Sequence, residues 1–233
     1  MKSADETFPP APFEGFAPAA STFFRGLAAN QDKAWFTAHR DNYERYVRLP
    51  MQSLIGDVSA GLAKARIPLA GDPQKAMFRI NRDVRFSKER RPYKEHASAV
   101  LSRDGRKGTP GFLYIHFDPK RSFVAAGFFR VEPPVLQKLR KGMVVDPSGW
   151  LKVERTLAKS DLVLAVDEPL SRLPRGFENA PASIAEQLKL KSWIVRRDLA
   201  KARLGEAALV GDVVTFATEA LPLLEFGWTA LGD

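Results

Sequence analysis

The sequence of 233 residues contains no cysteine, which excludes disulfide bonds and every metal site built on thiolates. No window approaches the run of about 18 apolar residues that a membrane-spanning helix needs. The first residues hold no apolar stretch of signal-peptide length either. Together these absences lead us to expect a cytoplasmic protein with no membrane partner.

Recognisable catalytic motifs are also missing. The chain has no G-x-S-x-G nucleophile elbow and no G-x-G-x-x-G dinucleotide turn, and the glycines from Gly105 to Gly111 lack the Walker spacing. Its three histidines, His39, His96 and His116, do not stand at metal-ligand spacing, so the sequence predicts no metal site and no cofactor. His39 lies on the apolar stripe of a predicted helix and is expected to pack there, whereas His96 is a candidate for proton transfer.

What the sequence has in excess is positive charge. It carries 36 lysines and arginines against 27 carboxylates, a net charge of +9. Seven of the cations, against two carboxylates, fall between Arg79 and Lys94, which we call the basic segment. More than half of the net charge therefore lies in this short stretch, and such a concentration favours an anionic partner. With 45% hydrophobic residues, the chain still has enough apolar surface to bury a core.

The beginning of the chain divides into an arm and a helical region. Residues 1–20 hold four prolines and are predicted to be extended. Three phenylalanines indicate that part of this arm packs against the rest of the protein: Phe8, Phe13 and Phe16. Ser21 is expected to cap a first helix and Asp32 a second, and apolar residues then recur at helical spacing through the first quarter.

The middle of the chain changes to short segments rich in aromatic and β-branched residues, bounded by turn-forming residues. Such segments predict strands, here at 77–80, 97–101, 112–117 and 122–129. Asp104-Gly105 predicts a hairpin loop and therefore antiparallel pairing. Helical patterns return after Pro133, and Asp212 is expected to cap the last helix. We expect a single α+β domain over 21–233, with a helical first quarter, a central antiparallel or mixed sheet and packed C-terminal helices.

The basic segment combines residue types that suit anion binding. Guanidinium groups present planar forks that match carboxylate or phosphate, and lysines add point charges. If Phe78 and Ile80 face the core, Arg79 points to the opposite side. The sequence predicts a site for a small molecule bearing phosphate or carboxylate, with these ligand-binding residues: Arg79, Arg82, Arg85, Ser87, Lys88 and Lys94. In a catalytic version of this site, Asp83 orients the arginines and Tyr93 or His96 donates a proton.

Two other hypotheses use the same charges. In one, the basic segment is part of a nucleic-acid-binding surface, together with a second basic stretch made of Lys189, Lys191, Arg196, Arg197, Lys201 and Arg203. In the other, the protein is a structural or interaction protein, and Asp83 pairs internally with the arginines beside it. The sequence leaves all three hypotheses open, and it does not predict the oligomeric state.

The chain also resembles a known family. The most specific part of the resemblance is a pair of motifs, Arg82-Asp83-x-Arg85-Phe86-Ser87-Lys88 and Pro92-Tyr93-Lys94. It extends to Trp35-Phe36, Gly111 to Tyr114, and Pro174 to Phe177. In these residues the sequence is similar to the family catalogued as domain of unknown function 2461. The resemblance implies an α+β fold and no particular activity, and it marks as signature positions Arg82, Asp83, Arg85, Ser87, Lys88, Tyr93 and Lys94. This chain has Ala125-Ala126-Gly127 where the family tends to have a glycine-rich turn.

Overall fold

The N-terminal helices of this protein, described by a computed structural model over residues 11–83 and 91–232, follow one another closely. They are α1 (Pro18–Ala29), α2 (Lys33–Ala38), α3 (Arg40–Tyr43), a π-helical turn (Glu44–Arg48) and α4 (Leu49–Lys64). Asp32 caps α2 as predicted, since its carboxylate accepts a hydrogen bond from the Trp35 backbone N–H at 2.8 Å. The predicted cap at Ser21 was wrong. The first helix begins at Pro18, whose missing N–H costs nothing in a first turn.

The arm before α1 packs against the protein, as predicted for Phe13 and Phe16. Both side chains are buried. The Phe16 ring stacks on Phe117 with centroids 4.0 Å apart, and its backbone N–H donates to the Leu204 carbonyl at 2.7 Å. Phe8 lies outside the described residues. The arm is therefore anchored from Phe13 onward by aromatic packing.

The sheet has four strands: β1 (Ala97–Ser102), β2 (Phe112–Phe117), β3 (Phe123–Phe128) and β4 (Trp193–Asp198). All neighbours are antiparallel, in the order β1-β2-β3-β4. The predicted hairpin at Asp104-Gly105 is confirmed, because it joins β1 to β2. Together with the flanking helices this confirms the predicted α+β class, and it decides for antiparallel over mixed pairing.

The predicted strand at 77–80 does not join the sheet as a strand. It runs along the outer edge of β1 and touches it through an isolated bridge between Met77 and Ala99. The Phe78 backbone N–H also donates to the Ser98 carbonyl at 2.8 Å. An exposed edge strand invites pairing with other chains, and this segment covers that edge.

The C-terminal half supplies the remaining helices. Between β3 and β4 lie α5 (Pro133–Val145), α6 (Pro147–Ala158), a 3₁₀ turn (Ala182–Ile184) and α7 (Ala185–Leu188). After β4 come α8 (Lys201–Leu204) and α9 (Leu209–Leu231). The last helix begins at Leu209, so the prediction that Asp212 caps it was wrong. Asp212 instead accepts hydrogen bonds from Arg203 Nε and Nη2, at 2.7 and 2.9 Å.

The two faces of the sheet have different environments. Side chains of one face, such as Leu113, Val124 and Trp193, are buried in a cluster that also contains the apolar sides of α4 and α9. Along β2 the alternate residues are only partly buried, because they point to the other face. None of the helices within the described ranges combines the length and apolarity needed to cross a bilayer. The prediction of a single domain over 21–233 stays a prediction.

Candidate functional site: a groove on the outer face of the sheet

The face of the sheet that points away from α4 and α9 forms the floor of a groove of about 760 Å³. Each strand contributes to this floor: Val100 from β1, Tyr114 from β2, Ala125 from β3 and Arg196 from β4. They share one face because successive strand residues point to opposite sides and the register places these four side by side. We refer to this cavity as the groove.

The walls of the groove come from segments that flank the sheet edges. On the β1 side stand Phe78, from the segment along the edge, and Lys107, from the β1–β2 loop. On the β4 side stand Val163 and Asp167, from the chain that follows α6. Aromatic rings dominate the interior, so the groove offers apolar surface framed by charged groups. Its aromatic lining residues are Phe78, Phe112, Tyr114, Phe123 and Phe129.

One end of the groove carries two lysines over the same ring. The Lys94 and Lys107 ammonium nitrogens lie 5.3 and 4.9 Å from the centroid of Phe78. Each donates a hydrogen bond to a backbone carbonyl of the edge segment, Lys94 to Arg79 at 2.9 Å and Lys107 to Met77 at 2.7 Å. No ion pair between described residues involves either lysine. The two charges therefore sit over an aromatic face, which attracts cations.

The electrostatics at this end of the groove favour an anionic ligand. Burial lowers the pKa of Lys94, and the nearby charges of Lys107 and Arg82 lower it further. The pKa of Lys107 is lowered by burial and then by Arg79. The two lysines thus lie close together over Phe78 and lower each other's preference for the charged form, a cost that an anion bound between them would relieve.

Near the edge of the sheet, the two ends of the basic segment pair with each other through backbone hydrogen bonds, which form a short base. The Arg82 backbone N–H donates to the Pro92 carbonyl and the Lys94 N–H donates to the Ile80 carbonyl, both at 2.8 Å. Lys94 and His96, beyond this base, line the groove. Three predicted site residues lie outside the described residues: Arg85, Ser87 and Lys88.

Other predicted site residues are placed away from the groove. Arg79 is exposed and lines a second hollow of about 280 Å³ instead of the groove. Tyr93 is 5% exposed and stacks on Phe36 in the core, with centroids 4.6 Å apart. Asp83 is exposed, and its pairing with the neighbouring arginines stays a prediction.

The predicted direction of Arg79 depended on the condition that Phe78 and Ile80 both face the core, and only Ile80 meets it. Ile80 is buried, at 7% exposure, and belongs to the core. Phe78 is only partly buried and lines the groove. Because the edge segment is not a regular strand, its side chains do not follow strict alternation.

A cluster that the sequence analysis missed lies beside Lys94. His96 and His116 have ring centroids 4.3 Å apart, and His116 Nε2 is 3.9 Å from Asp118 Oδ2. One donor atom from each of the three residues lies within 4.8 Å of the other two. The signal was present in the predicted hairpin. With Ala97 opposite Phe117, His96 falls opposite Asp118, and alternation puts His116 on the same face.

Burial dominates the ionisation of the two clustered histidines. Burial lowers the pKa of His96 to about 4, with further lowering by His116 and Lys94 and an opposing effect of Asp118. Burial also lowers the pKa of His116, against the opposing effect of Asp118. Both imidazoles are therefore neutral at pH 7, with one lone pair free on each ring.

The protein is expected to lose stability as the pH falls from about 6.5 to about 4 because of His96. In the unfolded chain this imidazole titrates near 6.5, so unfolding takes up a proton that the folded state, with a pKa of about 4, does not bind. Stability is thus retained above this window and lost below it. We expect a loss of about 1–2 kcal/mol, since partial exposure of the ring reduces the full value of about 1.4 kcal/mol per unit of pKa.

Urea unfolding of His96→Gln at several pH values, in buffer with EDTA, checks this expectation. The variant should show a flatter stability profile across the window. His39→Gln is the control, because His39 packs as predicted, stacked on Trp35 at 4.0 Å and hydrogen-bonded to its carbonyl through Nδ1. An unchanged profile in His96→Gln would contradict the assignment.

The second basic stretch is largely neutralised by carboxylates. Five of its six cations have a carboxylate oxygen within 4.0 Å: Lys189 with Glu186, Lys191 with Glu168, Arg196 with Asp198, Arg197 with Glu219, and Arg203 with Asp212. Only Arg196 of this stretch lines the groove, where its guanidinium lies 5.3 Å from the Phe123 centroid. Much of the charge of this second stretch is therefore balanced by neighbouring carboxylates.

Comparison with known proteins agrees with the resemblance seen in the sequence. Searches of curated proteins and of solved structures returned no match to this chain. A protein-family model described as "Conserved hypothetical protein (DUF2461)" matches residues 19–226, which include the four strands, the groove and most of α9. The chain belongs to the family described as Conserved hypothetical protein (DUF2461).

Proposed function

We propose that this protein binds, in the groove, a small molecule that joins a phosphate or carboxylate to a planar apolar part. One observation carries the proposal. Lys94 and Lys107 converge on Phe78 at the end of an aromatic groove, and neither forms an ion pair with a described residue. Charged side chains held together in a partly desolvated site usually have a counter-charge, and here a ligand would supply it.

The lining residues indicate where each part of such a ligand would bind. Its anionic group would accept hydrogen bonds from the two ammonium groups, which are charge-assisted and therefore strong. Its apolar part would lie against the rings of Phe112, Tyr114 and Phe123, which come from two adjacent strands. Ligand sites commonly combine an apolar lining with a few convergent polar groups, and the volume of the groove suits a small molecule.

The basic segment has a narrower role in this proposal than in the sequence-based prediction. Lys94 is its contribution to the groove, and Arg82 lies near enough to lower the pKa of Lys94. Contacts from Arg85, Ser87 and Lys88 to the ligand stay a prediction.

The nucleic-acid hypothesis has less support from the charges. Most cations of the second basic stretch are engaged by carboxylates, so they contribute little net field for a phosphate backbone. Asp167, on the β4 wall, would also oppose a polyanion laid across the whole groove. A compact ligand with its charge at the lysine end avoids both problems.

Anilinonaphthalene sulfonate, an aromatic ring system with one anionic group, is a suitable first probe for this site. We expect fluorescence titration to show binding to the folded protein. Lys94→Gln and Lys107→Gln should each weaken it about tenfold, since a hydrogen bond to a charged group contributes about 1.5–3 kcal/mol. The control is Lys138→Gln, a lysine of α5 that lies outside the groove.

Competition then defines the ligand class. Inorganic phosphate, benzoate and adenosine monophosphate should displace the probe from the wild-type protein, and the compounds with both an anion and a ring should do so at lower concentration than phosphate. Equal probe affinity in Lys94→Gln, Lys107→Gln and wild type would contradict the proposal. Tighter binding of an oligothymidylate, with a steep salt dependence, would favour the nucleic-acid hypothesis instead.

A further inference from the structure

His96, His116 and Asp118 bring together the donor set of a metal site. Two imidazole nitrogens and one carboxylate oxygen lie within 4.8 Å of one another, at the end of the groove where His96 forms part of the lining. Imidazole nitrogen suits zinc and its first-row neighbours, whereas magnesium and calcium prefer all-oxygen sites. The chain has no cysteine, so imidazole is its strongest donor for such ions.

We propose that His96, His116 and Asp118 bind one divalent first-row transition-metal ion of the zinc class. Two donors bound tetrahedrally at about 2.1 Å lie roughly 3.4 Å apart. The observed 3.9 Å between His116 Nε2 and Asp118 Oδ2 needs only a small inward movement to reach that spacing. The proposal does not depend on the anion-binding function, because it is built on different residues.

The surroundings of His116 are suited to metal binding through Nε2. Its Nδ1 lies 3.1 Å from the Tyr114 hydroxyl oxygen, and Nδ1–H can donate to that oxygen. This tautomer leaves the lone pair on Nε2, the atom that faces Asp118. Metal-binding histidines usually have such a partner on the other ring nitrogen, because it fixes the tautomer and the ring orientation.

The Asp118 carboxylate is oriented in the same way. Its Oδ1 accepts hydrogen bonds from the backbone N–H groups of Lys120 and Arg121 in the β2–β3 turn, at 2.6 and 3.4 Å. The Ser122 hydroxyl accepts a hydrogen bond from the Asp118 backbone N–H at 3.0 Å. The turn thus occupies one carboxylate oxygen and directs the other, Oδ2, toward His116. Both ligands are pre-oriented before any metal binds.

The positive charges nearby set the character of the site. Lys94 and Arg82 both act on the ionisation of His96, so they also oppose a bound dication. Three protein ligands with one negative charge leave the metal with net positive charge and at least one free coordination position. Zinc sites with three protein ligands and an open position are typical of catalysis, whereas structural sites have four protein ligands. Of the three ligands, His96 is the one that lines the groove.

The three histidines of the chain provide a direct test by NMR. Zinc is added to protein freed of metal with EDTA, and the imidazole resonances are followed. We expect the His96 and His116 signals to shift together with one equivalent of zinc, while the His39 signals, from the helix α2 region, stay in place. Magnesium at the same concentration should shift none of them.

Calorimetry on variants gives the affinity. His116→Ala should weaken zinc binding by more than the 10–100-fold that follows loss of an outer-shell partner. Asp118→Asn should also weaken it, and it retains the oxygen that accepts the turn N–H groups, so the turn should stay folded. His39→Ala is the control and should bind as wild type. The proposal is overturned if the His96 and His116 signals do not move with zinc, or if both variants bind zinc as tightly as wild type.

Discussion

Gly127→Ala is expected to destabilise the protein by about 3 kcal/mol or more. Gly127 lies in β3 with φ of +135°, a conformation that residues with a side chain rarely adopt. A Cβ at this position would also overlap the Trp193 carbonyl oxygen on the neighbouring strand. Backbone strain costs about 1–3 kcal/mol and overpacking typically a further ~1–3 kcal/mol, so the two effects together are large.

Two other glycines separate these effects. Gly176 has φ of +87°, but a Cβ added there would meet nothing within 4 Å, so Gly176→Ala should show the strain alone, about 1 kcal/mol. Gly108 has neither a positive φ nor a neighbour within 4 Å of that position, so Gly108→Ala should be close to neutral. Urea unfolding measures all three free energies. If Gly127→Ala costs no more than Gly176→Ala, the close approach of β4 does not constrain this position.

Ala125→Trp is expected to abolish probe binding in the groove while the protein stays folded. Ala125 is the small residue at the centre of the floor, between its partners Tyr114 on β2 and Arg196 on β4. An indole there would extend into the open space of the groove and occupy the position proposed for the ligand's apolar part. We expect at least a tenfold loss of affinity for anilinonaphthalene sulfonate, or about 1.4 kcal/mol.

Two controls make this result specific. Ala125→Ser leaves the groove open and should retain binding. Ala158→Trp places the same indole on the exposed end of α6, outside the groove, and should change neither binding nor the melting temperature. If Ala125→Trp binds the probe with unchanged affinity and melts like wild type, the probe binds elsewhere and the groove is not the site.

Local patterns in the sequence were enough to predict most of the elements. The cap at Asp32 and the hairpin at Asp104-Gly105 depend on interactions between residues close in sequence, and both are confirmed. The predicted helix starts at Ser21 and Asp212 were wrong because neither helix begins with a side-chain cap. Pro18 begins α1 without needing a side-chain cap, and the Asp212 carboxylate is taken by Arg203.

Ala125-Ala126-Gly127 shows where local interpretation fails. The family tends to have a glycine-rich turn at these positions, whereas in this chain they lie within β3. Their small size matters for tertiary reasons. The small side chain of Ala125 leaves the groove open above the sheet, while the absence of a side chain at Gly127 lets the backbone of Trp193 approach β3. Neither reason can be read from the residues next to them in the chain, because β4 follows only after several helices and a long connection.

The candidate site also has features that the sequence predicted and features that it could not predict. The charge concentration between Arg79 and Lys94 was evident from the sequence, and Lys94 and His96 do line the groove. The sequence could not show that Lys107 joins Lys94 over Phe78, because the two lysines meet only after the β1–β2 loop folds back toward the edge segment. Nor could it separate Arg79 and Tyr93 from the groove, since each lies within a few residues of a lining residue.

The sequence by itself determined the class of the fold, the excess of positive charge and the exclusion of thiolate chemistry, because composition and short-range periodicity carry this information. The tertiary structure decided which charges meet. Sheet register placed His96 opposite Asp118, and ion pairing with acidic residues neutralised most of the second basic stretch. Register and ion pairing depend on contacts between residues distant in the chain, so the groove, its two lysines and the His96–His116–Asp118 cluster emerge only when the strands pair.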